Sequence, residues 1–206
     1  MTHIPPGADV QGPVAARDIV RLGVKPHGYI LFVGRLVREK GAHYLIAAFR
    51  KVDPDCRLVI AGSAKGEGTY EAELRALAGG DPRIVFCGWV RGRLLAELFS
   101  HALVYVQPSE SEGLSLALLE AMSWGNLCLV SDLPQNREAI GDAGLCFEAR
   151  NVDDLAEKIK GIVCGANVRA EIGPRAQRRV AEHFSWDRTT NQLEALYMRV
   201  LAKQRR

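Results

Sequence analysis

The feature that most constrains the fold is an alternation. Short, continuous apolar runs recur along the chain, separated by segments whose apolar residues fall at helical spacing. Tyr29-Ile30-Leu31-Phe32-Val33 is the first run, closed by Gly34. A strand that is apolar on both sides of its pleat must be covered on both faces, as strands of a parallel sheet are. Residues 41–51 follow, with Ala42, Leu45, Ile46 and Phe49 on one helical face. The pattern predicts further strands at 57–62, 83–88, 102–106 and 127–131, and a short one at 143–147. It predicts helices at 70–78, 92–100, 115–124, 152–163 and 168–183, and from 185 onward. About six strands alternating with helices through short loops imply an α/β fold: a doubly wound parallel sheet with helices on both faces.

Residues 1–27 read as a linker and lead-in, because Met1–Pro13 is rich in Pro and Gly and has no periodicity. Residues 28–184 form the sheet domain and 185–206 a closing helix. With 206 residues, 48% of them hydrophobic, the chain can bury a core without disulfides or metals. A net charge of +3 with scattered basic residues gives no footprint for nucleic acid. The Arg175–Arg179 run and the Lys203, Arg205, Arg206 cluster read as solvated helix surface. Five cysteines without a Cys-x-x-Cys pair suggest reduced thiols. No apolar run approaches the roughly 18 residues of a membrane span, and no signal peptide is present. The expectation is a cytoplasmic protein, with peripheral membrane attachment left open. The histidines are dispersed and no His/Asp cluster has metal-ligand spacing, so no metal site is expected.

In such sheets, ligands bind outside the carboxyl ends of the strands. After the first strand come Gly34-Arg35, then Arg38-Glu39-Lys40-Gly41. A guanidinium and a mobile ammonium beside a glycine-hinged loop could clamp a diphosphate, although alone such a segment is an ordinary solvated loop. The fingerprint Gly-x-Gly-x-x-Gly is absent, which argues against a nicotinamide enzyme. After the fourth strand comes Pro108-Ser109-Glu110-Ser111-Glu112-Gly113-Leu114-Ser115-Leu116, leading to Glu120-Ala121-Met122. The helix start offers backbone N–H groups at Leu114, Ser115 and Leu116 to an anion. Glu120, one turn in, could accept from sugar hydroxyls. Early helical acids also simply complement the helix dipole. Position at the ligand edge is what singles these out. Glu110 and Glu138 read as exposed acids, although Glu138 follows the fifth strand and could line the cleft.

Taken together, Gly34-Arg35, Lys40, Pro108-Ser109, Glu112-Gly113-Leu114-Ser115-Leu116 and Glu120-Ala121-Met122 resemble the carboxyl-terminal domain of group 1 (family 4) glycosyltransferases. These are retaining enzymes of the GT-B fold, built from two Rossmann-like domains facing across a cleft. The resemblance implies a Rossmann-like sheet and a nucleoside-diphosphate sugar donor, UDP-, GDP- or ADP-linked, with no cofactor. It implies that Arg35 and Lys40 neutralise the diphosphate and that Glu112 contacts the transferred sugar. It also implies that Glu120 holds the ribose, that backbone at Gly113, Leu114, Ser115 and Leu116 binds phosphate, and that backbone around Val90 meets the base. Cys87-Gly88-Trp89-Val90 is similar to the family's base-binding strand end. Ile4–Asp9 is similar to its interdomain segment, and Phe184-Ser185-Trp186 begins its closing helix.

Two departures stand out: Asn126 where the family usually has proline, expected to affect loop stiffness, and Ser115 in place of a frequent glycine, a possible hydroxyl donor. The acceptor-binding amino-terminal domain is not in the chain, and Met1 falls at the expected domain boundary. A fragment, or a half-enzyme working with a second chain in cis or trans, is implied, with any membrane association made through that other domain. Trp186, Leu193, Leu196, Tyr197, Val200 and Leu201 would then form a stripe shared between core and domain seam. The alternatives are a non-catalytic nucleotide-sugar-binding module and, from the same fold, a nucleotide-sugar epimerase.

Overall fold

The computed structural model describes residues 4–52, 55–64, 69–165 and 168–204. Arg205 and Arg206 of the basic cluster, and Met1–His3 of the lead-in, lie outside them. Six parallel strands, β1 (Tyr29–Val33), β2 (Arg57–Ala61), β3 (Ile84–Gly88), β4 (Val104–Gln107), β5 (Cys128–Ser131) and β6 (Leu145–Phe147), form one sheet in the order 3-2-1-4-5-6. The expected doubly wound sheet is therefore present, with its order reversing between β1 and β4.

Two apolar layers cover the sheet, as the continuous apolar runs require. On one face Ile30, Phe32, Leu58, Ile60, Val104, Val106 and Leu129 pack under α1 (Ala42–Phe49), α2 (Thr69–Ala78) and α6 (Val152–Cys164). On the other, Tyr29, Leu31, Val59, Tyr105, Cys128 and Val130 pack under α3 (Gly92–His101), α4 (Leu116–Ser123), α5 (Pro134–Ile140) and α7 (Val168–His183). Alternate residues of each strand thus serve opposite layers. Helix α8 (Trp186–Gln204) closes the chain. Its stripe is largely outside the core: Trp186, Leu193, Tyr197, Val200 and Leu201 are exposed, and Met198 joins them. Among the described residues no helix is long and apolar enough to cross a membrane.

Three sequence expectations need correction. Helix α5 was not anticipated, because only Ala139 and Ile140 at its end carry an apolar signal and its other buried residue is the polar Asn136. Asn126 is more than a stiffness variant: fully buried, its amide donates to the carbonyls of Phe99 (2.9 Å) and Ala121 (3.0 Å). The lead-in, although irregular up to a short 3-10 turn at Ile19–Leu22, is not a loose linker. Ala8 N–H donates to Phe184 O (2.7 Å), Thr189 Oγ1 to Pro5 O (2.9 Å), and Gly7 packs so closely on the Trp186 backbone that a Cβ would stand 2.6 Å from its nitrogen.

Buried Glu97 of α3 fixes the other end of that segment. One of its oxygens accepts the N–H groups of Arg17 (2.7 Å), Asp18 (2.6 Å) and Ile19 (3.2 Å), and the other accepts Arg93 Nε (2.8 Å). Burial pushes the carboxyl pKa up, but these donors outweigh it and bring it down to about 2.

A close backbone approach joins two further loops. Gly41 has φ +69°, and a Cβ there would lie 1.9 Å from Pro108 O. Only glycine fits. The loop after β1 is thereby pressed against the loop after β4.

Because the folded-state pKa of Glu97 is depressed from 4.5, its contribution to stability is full above about pH 4.5 and is lost as pH falls toward 2. Glu97→Gln should remove charge-assisted bonds worth about 1.5–3 kcal/mol, flatten the acid limb of the stability–pH curve, and speed amide exchange at residues 17–19. An unchanged acid limb would show that Glu97 does not hold the lead-in. For the loop contact, Gly80→Ala serves as the control, since Gly80 has φ +74° with nothing within 4 Å of its would-be Cβ. Backbone strain alone should cost about 1–3 kcal/mol at either position. Gly41→Ala should cost clearly more than Gly80→Ala in chemical denaturation, and equal losses would mean the Pro108 contact is not a constraint.

Candidate functional site

The sequence-selected residues gather where the sheet order reverses, at the carboxyl ends of β1 and β4 and beside that of β3. Gly34 caps β1, its N–H donating to Ala61 O (3.0 Å). Gly62, which follows β2, lies so close that a Cβ there would stand 1.8 Å from Gly34 O. Gly34 and Arg35 line a cavity of about 270 Å³ together with Gly62, Ser63, Trp89, Val90 and Leu95. The diphosphate and base candidates therefore share one hollow. Trp89, beside Val90 in the segment matched to the base-binding strand end, is 68% exposed on its wall, with the Arg91 guanidinium 5.2 Å from its ring centroid. Arg35 is exposed and pairs with Glu39 (3.1 Å), a contact that water and salt weaken and a ligand can replace.

Lys40 and Glu112 meet directly. Lys40 Nζ lies 2.7 and 2.8 Å from the two Glu112 oxygens, and Ser109 Oγ donates to one of them at 2.7 Å. The Glu112 side chain is only 5% exposed and that of Lys40 20%. Two residues expected to act on different parts of a ligand are thus paired with each other. The pair keeps each charge compensated where either alone would be costly.

The loop carrying Glu112 is held from several directions. Glu110 N–H donates to Glu39 O (2.8 Å). Glu110 is not the exposed acid anticipated: Tyr44 Oη donates to it at 2.9 Å, and Arg150 pairs with it at 2.8 Å from a left-handed backbone (φ +67°). The Tyr44 hydrogen bond, helped by Arg150, holds its carboxyl below the ordinary value against the opposing effect of burial. From beneath, Ser131 Oγ donates to Ser109 O (2.6 Å), and Asn136 Nδ2 donates to Ser131 Oγ (3.0 Å). Asn136 Oδ1 in turn accepts Gln107 Nε2 (2.9 Å). These buried polar groups satisfy one another, which fixes the loop rather than leaving it to adapt.

Helix α4 begins at Leu116, with Ser115 as its N-cap. The Ser115 hydroxyl accepts Leu118 N–H (3.4 Å), so the substitution noted from sequence serves as a cap as well as a possible donor. The first turn of the helix leaves its remaining N–H groups without intrahelical acceptors. Gly113 and Leu114 line a separate hollow with Pro5, Gln135, Glu138 and Phe184, and Glu138 itself is exposed. Glu120, on α4, lines a third, about 380 Å³, with Gly7, Gly92, Leu95 and Trp186. Leu95 belongs to this hollow and to the Arg35–Val90 hollow, so the two are neighbours. Partial burial against these walls raises the Glu120 carboxyl pKa, although the side chain keeps an exposed edge.

Comparison with known proteins bears on the family and the fold. Residues 20–179 match the family model of the glycosyl transferases group 1. An uncharacterized glycosyltransferase of Methanocaldococcus jannaschii is 34% identical over 172 residues, which cover 82% of this chain and 44% of that protein. Among solved structures, sucrose-phosphate synthase from Thermosynechococcus elongatus superposes with a TM-score of 0.85 at 28% identity, over 97% of this chain and 52% of the other. Anabaena HepE, solved in complex with UDP-glucose, superposes at 0.80 and 22% identity, over 87% of this chain and 50% of that one, a likeness of fold. The chain thus spans about half the length of the proteins it matches. With its sheet order, its loop pair and this match over most of its length, the chain belongs to the group 1 glycosyl transferases.

Proposed function

We propose that this chain is the donor-binding half of a retaining glycosyltransferase. It takes a nucleoside-diphosphate sugar, and an amino-terminal domain in cis or in trans holds the acceptor. The observation that carries this is convergence. Arg35, Lys40, Glu112, Glu120, the α4 start and the Val90 strand end come from separate stretches of sequence and border one sheet edge. That HepE was solved with UDP-glucose supports the same class of donor.

In this reading the base lies in the hollow of Trp89 and Val90, and Glu120 accepts from the ribose hydroxyls. The diphosphate meets Arg35, Lys40 and the N–H groups at the α4 start. Charge grows on the departing diphosphate as the glycosidic bond breaks, and donors already in place stabilise it without reorganising. Arriving phosphate competes with Glu112 for Lys40. The Glu112 carboxylate is then released in part toward the sugar hydroxyls, while Ser109 still holds one of its oxygens. The pair therefore keeps both groups positioned before the donor arrives.

Titration calorimetry with UDP, GDP and ADP, each with and without a sugar, tests the reading. One nucleoside diphosphate should bind saturably. Glu120→Ala should weaken it about tenfold, or ~1.4 kcal/mol, without lowering the melting temperature, because Glu120 is exposed. Lys40→Ala should weaken it at least as much, and should also lower stability by leaving Glu112 without its cation. Binding through the ionised Glu120 should fade on acidification at a pH above the ordinary carboxylate value, since its pKa is raised. A folded chain that binds none of the three would end the donor-site proposal. A chain that binds but never turns over when supplied with amino-terminal halves and acceptors would be a binding module instead.

A further inference from the structure

A hollow of about 550 Å³, larger than those at the donor edge, lies elsewhere in the molecule. Leu103 and Leu127, the residues just before β4 and β5, line it, together with His27 ahead of β1, Ile162 of α6 and the start of α7. It therefore opens at the amino ends of the strands. The strands it underlies are four to five residues long, which places it roughly 15 Å through the sheet from the carboxyl edge.

Its polar end is one guanidinium. Arg169 Nη2 donates to Ser100 O (2.9 Å), and Nη1 lies 2.7 Å from His27 Nδ1. Its Nε is buried and has no hydrogen-bond partner. Among the described residues no carboxylate pairs with it. A half-buried cation beside an imidazole, which can accept a hydrogen bond but supplies no negative charge, is uncompensated. Burial accordingly lowers the Arg169 pKa. His27 is held against it in a left-handed conformation (φ +58°), a strain a non-glycine residue adopts only where its surroundings impose it. The first residues of α7, Val168, Arg169 and Ala170, line the same hollow, so the positive end of that helix dipole adds to the field. Elsewhere Leu103, Leu127, Ile162 and Val168 supply hydrocarbon beside the amides of Gln11 and Gln177, and the volume suits a small molecule.

We propose that this hollow binds a small oxyanion-bearing molecule with an apolar body, its anionic group on the Arg169 guanidinium and its body against Leu103, Leu127 and Ile162. The anion supplies what Arg169 lacks, a counter-charge, and accepts from the Nη N–H groups that Ser100 and His27 leave free, while the buried Nε–H reports its arrival without touching it. The site is separate from the donor edge and independent of what binds there.

The test follows the Arg169 Nε–H resonance by NMR in the full chain during titration with phenyl phosphate, benzoate and, as the neutral control, phenol. Phenyl phosphate or benzoate should shift it saturably, one per chain, with a Kd near or below about 1 mM. Whichever binds more tightly identifies the oxyanion as phosphate or carboxylate. Arg169→Ala, followed through other resonances of the hollow, should weaken binding at least tenfold. Because that change also deprives Ser100 O of a donor, Ala170→Glu is the second variant. Ala170 is exposed, and a carboxylate in the first turn of a helix suits folding, so this variant should keep its melting temperature and still lose the anion at least tenfold. Three results would overturn the proposal: no saturable shift with either anion, phenol binding as tightly as the anions, or displacement of the bound anion by UDP, which would merge this hollow with the donor site.

Discussion

The site depends on a place where a side chain has no room. Gly41 lies against the Pro108 carbonyl, and that contact brings the loop after β1 and the loop after β4 together where the sheet order reverses. The two loops also carry complementary charge, Arg35, Arg38 and Lys40 on the first and Glu110 and Glu112 on the second. With the backbones in contact, Lys40 reaches Glu112, and Glu110 N–H reaches the Glu39 carbonyl. The charged pair is then partly shielded from water, and its geometry becomes a property of the fold rather than of two flexible side chains. The Ser131–Asn136–Gln107 chain beneath the second loop adds to this by leaving the loop carbonyl no alternative partner.

Most of the architecture was legible in the sequence for a simple reason. A parallel strand covered on both faces has few polar positions to blur it, so the runs 29–33, 57–62 and 127–131 stood out within a residue of where β1, β2 and β5 fold. The same physics explains the failure at 134–140. Helix α5 is short and turns the polar Asn136 inward, and a buried amide inside a hydrogen-bond chain looks like a surface residue in a linear pattern. Gly34, Arg35, Lys40 and Glu112 were picked out as candidates because they follow strands, and Glu120 because it lies one turn into the helix after β4; residues after strands in this kind of sheet face the ligand edge.

What could not be read was pairing. That Lys40 is bound to Glu112, that Arg150 in a left-handed conformation reaches Glu110, and that Glu97 caps three lead-in amides depend on registers between elements 40 to 80 residues apart. Composition near each residue carries no trace of its partner. Trp89 was placed by resemblance at the base-binding strand end, but that Gly34, Gly62 and Leu95 share its hollow is again a matter of pairing.

The strapping of the lead-in has a mechanical consequence. Pro5, Gly7 and Ala8 are fastened to Thr189, Trp186 and Phe184, so the lead-in and the start of α8 lie side by side. A body joined through a single flexible strand can swivel about every axis. One joined through two adjacent strands is limited to a swing in one plane, as a door is by paired pins. The junction also walls the neighbouring Glu120 hollow through Gly7 and Trp186, so any swing at the junction would reshape that hollow.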